Sequence, residues 1–234
     1  SALLASALSF SPMTELLGFL SWPPLLVGAY VIGSIPSAQL LARLKGIDLT
    51  QEGTGNVGAG NLTALAGKPW GIAAAILDGL KGLAPVLFAR FVLDLGIASS
   101  GIAGLAAVVG HCWSIFMRGR SGRGLATSAG FMISLDPGLR VWITWWSVAG
   151  WRIGGGFAGF LGWGLLPLFA LALGRPGTEV LFLLLLTSVL LGRRAQGNAD
   201  ALGGASNFLR RAIYDSDAEE GGDYREPADE ATTS

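Results

Sequence analysis

Cysteine and histidine each occur once in the 234 residues, as Cys112 and His111. A lone cysteine excludes an intrachain disulfide. One residue of each type also falls short of the four ligands that a structural zinc site usually takes, so neither metal nor cofactor is expected. Charge is scarce too: Asp, Glu, Lys and Arg make up 14% of the chain, against roughly a quarter in an average soluble domain. The 16 basic and 16 acidic residues cancel, leaving no net field to attract nucleic acid. No G-x-x-x-x-G-K-[ST] run occurs, which excludes an NTPase P-loop. What the chain has in quantity is apolar: 51% of residues are hydrophobic and the mean hydropathy is +0.55. The expectation is an all-α, polytopic membrane helix bundle.

A span needs about 20 mostly apolar residues. Segments 25–44, 69–93, 97–117, 124–152, 156–173 and 178–191 qualify, the last being short. Residues 1–23 are read as an N-terminal segment whose apolar 1–10 stretch suits the membrane interface. Residues 24–211 are read as the integral membrane domain, and the acidic 212–234 as a disordered tail. Segment 124–152 is long for one crossing and short for two, and "DPG" at 136–138 interrupts it. Basic residues collect on the cytoplasmic side of membranes. If Arg118, Arg120 and Arg123 share that side with Arg193, Arg194, Arg210 and Arg211, an even number of crossings separates them. Two short crossings, or a re-entrant pair, within 124–152 restore that parity. Arg43, Lys45 and Lys68 then lie inside, and Arg90, Arg140 and Arg175 outside. About seven spans follow, with the N-terminus out and the C-terminus in.

Four polar groups interrupt the apolar pattern. "VIGSIPSAQLLARLKG" at 31–46 sets Ser34, Pro36, Ser37 and Gln39 in the first span. It is either a proline kink with small packing residues or a broken helix that turns backbone groups towards a ligand. "GTGNVGAGN" at 53–61 is either a connecting loop or a glycine-rich concavity of N–H groups for an anion. "ILDGLKG" at 76–82 sets Asp78 and Lys81 three apart on one helix face inside a span, where pairing relieves the cost of burial; the reading is a structural ion pair or a site pair. "GHCWSIFMRGRSGRGLAT" at 110–127 runs from His111 into a loop dense in glycine and arginine, with a span starting behind it. Arg120 and Arg123 can fork onto phosphate oxygens, Gly119, Gly122 and Gly124 allow the backbone to curl through positive φ, and the helix N-terminus adds N–H donors. A purely topogenic loop would need the arginines but not the glycines.

These stretches, in this order, resemble the bacterial acyl-phosphate:glycerol-3-phosphate acyltransferase family. The motifs are Gly33-Ser34-Ile35-Pro36, Lys45-Gly46-Ile47-Asp48, GTGNVGAGN, Asp78-Gly79-Leu80-Lys81-Gly82, GHCWSIF and SGRGLAT. The resemblance implies a seven-helix membrane enzyme of the bacterial inner membrane with its site facing the cytoplasm. It implies transfer of a fatty acyl group from acyl phosphate to glycerol 3-phosphate, giving lysophosphatidic acid. Membrane lipid and an acyl-phosphate-producing enzyme are the partners it implies. Ser34, Ser37 and His111 become catalytic groups. Gly53, Gly55, Asn56, Asn61, Thr127, Arg152 and Asn198 join Gly119, Arg120, Gly122, Arg123 and Gly124 around substrate phosphate. The H-x-x-x-x-D motif of soluble-type acyltransferases is absent, since Phe116 stands five positions after His111.

The chain departs from the family pattern in places. Thr50 stands for a usual arginine, Ser114 for a proline, Ser121 for a glycine, and Arg120 and Arg123 for two lysines. The motif RHR-x-NI-x-RL-x-x-G-x-E meets "RRAQGNADALGGAS" at 193–206, where Asn198 aligns only after a one-residue slip. A catalytically silent paralogue that binds anionic lipid or acyl phosphate is the alternative. A small-solute transporter would show paired inverted repeats, and none is evident.

Overall fold

The structure, a computed structural model, describes residues 12–119, 121–153 and 155–197. Segment 1–10, the tail 212–234, Arg120 and Asn198 lie outside them. No β-strand occurs among the described residues. The helices are α1 (Pro12–Ser34), α2 (Ser37–Arg43), α3 (Ala59–Ala66), α4 (Lys68–Phe91), α5 (Ile97–Cys112), α6 (Leu125–Leu135), α7 (Arg140–Ile153), α8 (Gly155–Gly164), α9 (Leu166–Ala172) and α10 (Gly177–Gln196).

Proline explains most of the interruptions. A proline pushes the preceding residue out of the α region, so Pro36 ends α1 at Ser34 and α2 begins at Ser37. The first span is thus a broken helix, not a kinked one. Pro137 follows the end of α6, and a 3-10 turn at Pro137–Leu139 separates α6 from α7. Segment 156–173 is likewise split, with Pro167 in the first turn of α9. The helix that carries the first span begins at Pro12, ahead of that span, and passes through Pro23 and Pro24; its membrane-length part, Trp22–Arg43, agrees with segment 25–44. Proline keeps a helical φ, and although it removes its own N–H donor and crowds the carbonyl four residues back, the helix continues through both. The boundary drawn at 23/24 therefore falls inside a helix.

Trp22–Arg43, Lys68–Phe91 and Ser99–Met117 are long and apolar enough to cross a membrane. The burial pattern is inverted relative to a soluble protein. Ile72, Ile76, Phe88, Phe91, Leu181 and Leu184 are exposed, while Asp78, Lys81, His111, Arg193 and Arg194 are buried. A continuous apolar exterior of this kind is what lipid covers. The interior core joins Val86, Val108, Phe131, Leu183, Leu186 and Leu190 from α4, α5, α6 and α10.

Two helix crossings are built from small residues. A Cβ on Gly82 would fall on the Thr127 carbonyl, and one on Gly130 on the Gly79 carbonyl, so α4 and α6 touch backbone to backbone. Gly33 meets Ala107, and Gly110 meets Tyr30, in the same way between α1 and α5. In lipid no hydrophobic force presses helices together, and close backbone approach supplies the dispersion contact instead. These crossings set the heights at which α1, α4, α5 and α6 present their polar residues.

Candidate active site

The polar groups meet where α4, α5 and two loops converge. Lys81 Nζ lies 2.8 Å from Asp78 Oδ1, one turn back on α4. It also donates to the carbonyl of Ile35, in the break between α1 and α2. Its third neighbour is His111 Nδ1 on α5, at 3.3 Å. Asp78 Oδ1 is 3.7 Å from the same ring nitrogen. The broken helix end is held from a second side as well, because Ser114 Oγ donates to the Ser34 carbonyl. A helix break inside a bilayer leaves carbonyls without partners, and Lys81 and Ser114 satisfy two of them.

A cavity of about 350 Å³ opens beside this cluster. Thr54, Asn56 and Gly58 line it from the first loop, Gly60 and Asn61 from the first turn of α3, Asp78 and His111 from α4 and α5, and Arg123, Gly124, Leu125 and Ala126 from the second loop and the start of α6. Gly124 caps α6 with φ 78° and brings no side chain to the helix N-terminus. The first-turn N–H groups of α6 are therefore available to an anion, and the helix dipole adds to Arg123. Asn56 Oδ1 is buried there with no hydrogen-bond partner among the described residues.

Gly122 corrects the expectation of positive φ throughout the loop. Positive φ occurs at Arg118, Gly119 and Gly124, and Gly122 is not among them. Gly122 is glycine for room: a Cβ would collide with His111 Nε2 and press on the Val57 carbonyl.

The first loop is braced from within. Asn61 Oδ1 accepts from Thr54 N at 3.0 Å, and Nδ2 donates to the carbonyls of Glu52 at 3.0 Å and Leu49 at 3.3 Å. Its amide is thus spent on loop shape. Gly53, with φ 61°, leaves space for that Asn61 oxygen. Asp48 Oδ1 accepts from Thr50 Oγ1 at 2.7 Å, Thr50 N at 3.0 Å and Gln39 Nε2 at 2.9 Å. The Thr50 hydroxyl, first among these, holds the Asp48 carboxyl below its ordinary range.

Arg193, read in the sequence as a topology marker and as the first residue of the degenerate motif at 193–206, was assigned no place in the site. It is 3% exposed, and donates from Nε to Cys112 O at 3.1 Å and from Nη2 to Ser121 O at 2.7 Å. It ties α10 to the end of α5 and to the phosphate-type loop. Gly55, Thr50, Ser121 and Arg193 line a second, more polar pocket of about 160 Å³ on that side of the loop.

The remaining nominated residues fall elsewhere. Ser34 and Ser37 are buried at the helix break, outside the lining of the cavity, and Ser34 Oγ has no partner among the described residues. Thr127 is buried in the α4–α6 crossing. Gly119 follows the left-handed Arg118 at the loop entry and lines neither pocket. Arg152 is exposed on the last turn of α7. No cluster of three metal-ligating residues occurs among the described residues.

The family profile described as Glycerol-3-phosphate acyltransferase matches residues 24–202. A glycerol-3-phosphate acyltransferase of Rubrobacter xylanophilus is 46% identical over 122 residues, covering 51% of this chain and 61% of that protein. One from Aquifex aeolicus is 34% identical over 182 residues, covering 76% of this chain and 93% of that protein. The chain spans about three fifths of the length of the first curated relatives it matches. Two crystal structures of PlsY (YgiH), an integral membrane glycerol 3-phosphate acyltransferase, share the fold. The glycerol 3-phosphate form has a TM-score of 0.69 at 30% identity, over 75% of this chain and 89% of that one. The lysophosphatidic acid form has a TM-score of 0.67 at 28% identity, over 81% and 91%. The all-α bundle is an integral membrane protein, and by the match across most of its length the chain belongs to the glycerol-3-phosphate acyltransferase family.

Proposed function

We propose that this protein transfers a fatty acyl group from acyl phosphate to the first hydroxyl of glycerol 3-phosphate, at the cytoplasmic face of a bacterial inner membrane. The observation that carries the reading is the single cavity in which Arg123, His111 and the open N-terminus of α6 converge beside the buried Asp78–Lys81 pair. The hydroxyl oxygen bonds to the acyl carbon, and the bond from that carbon to the phosphate oxygen breaks. The products are lysophosphatidate and hydrogen phosphate, which carries away the hydroxyl proton in the net reaction. Acyl phosphate is already an activated donor. Aligning two anions and neutralising the leaving phosphate therefore supply most of what the step needs.

Arg123 is assigned to a phosphate through its planar fork, with the α6 N–H groups beneath it. Asn56 is assigned to a glycerol hydroxyl, which its buried oxygen can accept from. The pocket between Thr50, Ser121 and Arg193 suits the second phosphate. Ser34 and Ser37 are assigned to orienting the acyl phosphate from the helix break. The seven-span topology, N-terminus out, belongs to the same proposal. Purified protein in lipid nanodiscs, given acyl phosphate and glycerol 3-phosphate, should release phosphate and form lysophosphatidate in equal amounts. Binding of acyl phosphate without either product would leave the silent-paralogue reading in its place.

A further inference from the structure

We infer that His111 is held by Lys81 in one tautomer, with Nδ1 unprotonated, and presents its Nε2–H as a hydrogen-bond donor to the anion in the cavity. The inference rests on the phosphate-binding reading above and assigns each ring nitrogen a separate task.

Lysine is a pure donor: its ammonium has three protons and no lone pair. Three acceptors surround Lys81 Nζ among the described residues: the Ile35 carbonyl from the α1–α2 break, Asp78 Oδ1 at 2.8 Å from α4, and His111 Nδ1 at 3.3 Å from α5. A proton on Nδ1 would set two donors face to face at that distance. Lys81 and His111 are 7% and 5% exposed, so water does not relieve such a clash. Asp78 Oδ1 is the only other candidate among the described residues to draw a proton onto Nδ1. It lies 3.7 Å from it, beyond hydrogen-bond range. Nδ1 therefore keeps its lone pair, and the proton of the neutral ring sits on Nε2.

Nε2 points the other way, to where Gly122 has no side chain. The ring lines the cavity together with Arg123 and Gly124. A ring N–H beside a guanidinium and a helix N-terminus complements an anionic oxygen. With its proton already in place, Nε2 has no lone pair to take another from the glycerol hydroxyl. His111 is thus an electrostatic donor, and Lys81 and Asp78 are positioning residues that act through it.

His111 is the only histidine, so ¹⁵N-histidine labelling, with an affinity tag free of histidine, yields a single imidazole in the NMR spectrum of the wild-type protein in nanodiscs. At neutral pH the expected spectrum has a protonated Nε2 and an unprotonated Nδ1. Titration with inorganic phosphate should move the Nε2 resonance and leave Nδ1 in its tautomeric range. Gly122→Ala should lose the phosphate-induced shift, because its methyl overlaps the Nε2 edge of the ring and displaces it from the cavity. A protonated Nδ1, alone or with Nε2, overturns the tautomer assignment. Saturating phosphate that leaves Nε2 unmoved overturns the donor role, and so does a full shift in Gly122→Ala. If tautomer and shift are found but acyl phosphate gives no turnover, the acyltransferase reading fails alone.

Discussion

Arg175 Nε lies 2.8 Å from Asp136 Oδ2, which fastens the loop after α6 to the start of α10. At the opposite end of α10, Arg193 binds Ser121 O just before α6 begins. The neighbouring Arg194 binds Gly156 O at the start of α8, at 2.8 Å. Helices α6, α7, the α8–α9 pair and α10 each run between these two ends. Asp136 also accepts from Gly138 N at 2.6 Å, so it serves the turn as well as the ion pair. Asp136→Ala should lower stability by about 1–3 kcal/mol through the lost buried partners. Arg175→Ala, removing a side chain that is 36% exposed, should cost about 1 kcal/mol or less. Thermal melts in detergent would rank the two variants; equal losses would mean that Asp136 acts only through the ion pair, and a larger loss in Arg175→Ala would contradict its role in the turn.

The same path through the bundle predicts sidedness. Thr178 is exposed near Arg175, and Gln196 is exposed beside Arg193. In intact cells an impermeant thiol reagent should label Thr178→Cys and spare Gln196→Cys, while the buried Cys112 stays silent. Labelling of Gln196→Cys alone would invert the topology and move the cavity to the outer face.

Asp78 and Lys81 are predicted to be coupled in stability. Removing one strands the other in a low-dielectric interior, typically a loss of about 3–5 kcal/mol. Lys81→Ala should sharply reduce folded yield, and Asp78→Asn combined with Lys81→Met should recover part of it. Fluorescence-detected size exclusion reads the yield. Independent, additive losses would contradict the ion pair's role in holding the helix break.

Arg123→Lys separates geometry from charge. If a guanidinium fork holds the phosphate, lysine should raise the KM for glycerol 3-phosphate about tenfold for each ~1.4 kcal/mol of binding lost. An unchanged KM with correct membrane insertion would reduce Arg123 to a point charge.

Asp48 gives a pH dependence outside the membrane spans. Its folded pKa lies below the ordinary 3.8, so the unfolded chain takes up a proton first as pH falls. The contribution is complete above that unfolded value and is lost as pH drops through the lower, folded one. Solvent screening keeps it to about 1 kcal/mol or less. Melting points of the wild type and Asp48→Asn should differ at pH 7 and converge below pH 3.8; a gap that widens on acidification reverses the sign.

Features that were legible in the sequence are those a residue imposes on its neighbours. Pro36 and the Asp136-Pro137-Gly138 turn act on adjacent φ and ψ, and Asp78 and Lys81 meet because a helix stacks i and i+3. Features that depend on distant partners were not legible. Ser121 and Arg193 are 72 positions apart, so a buried brace looked like a topogenic charge. Gly122 looked like a backbone hinge because nothing nearby in sequence announces the His111 ring against it. The bonds by which Asn61 braces the loop while lining the cavity were not legible either.

The α4–α6 crossing divides the bundle mechanically. Where the Gly82 and Gly130 backbones lie on Thr127 and Gly79, no side chain can change rotamer to absorb a displacement, so strain passes undiminished from one helix to the other. Compliance must reside on the other side of α6, where a cavity of about 290 Å³ separates it from α7 and α8. A guest lodged between helices would therefore spread the tryptophan-rich side and leave the spacing between His111 and the α6 N-terminus fixed, so amide exchange in α4 should be slow and indifferent to lipid, while that of α7 and α8 rises and falls with it.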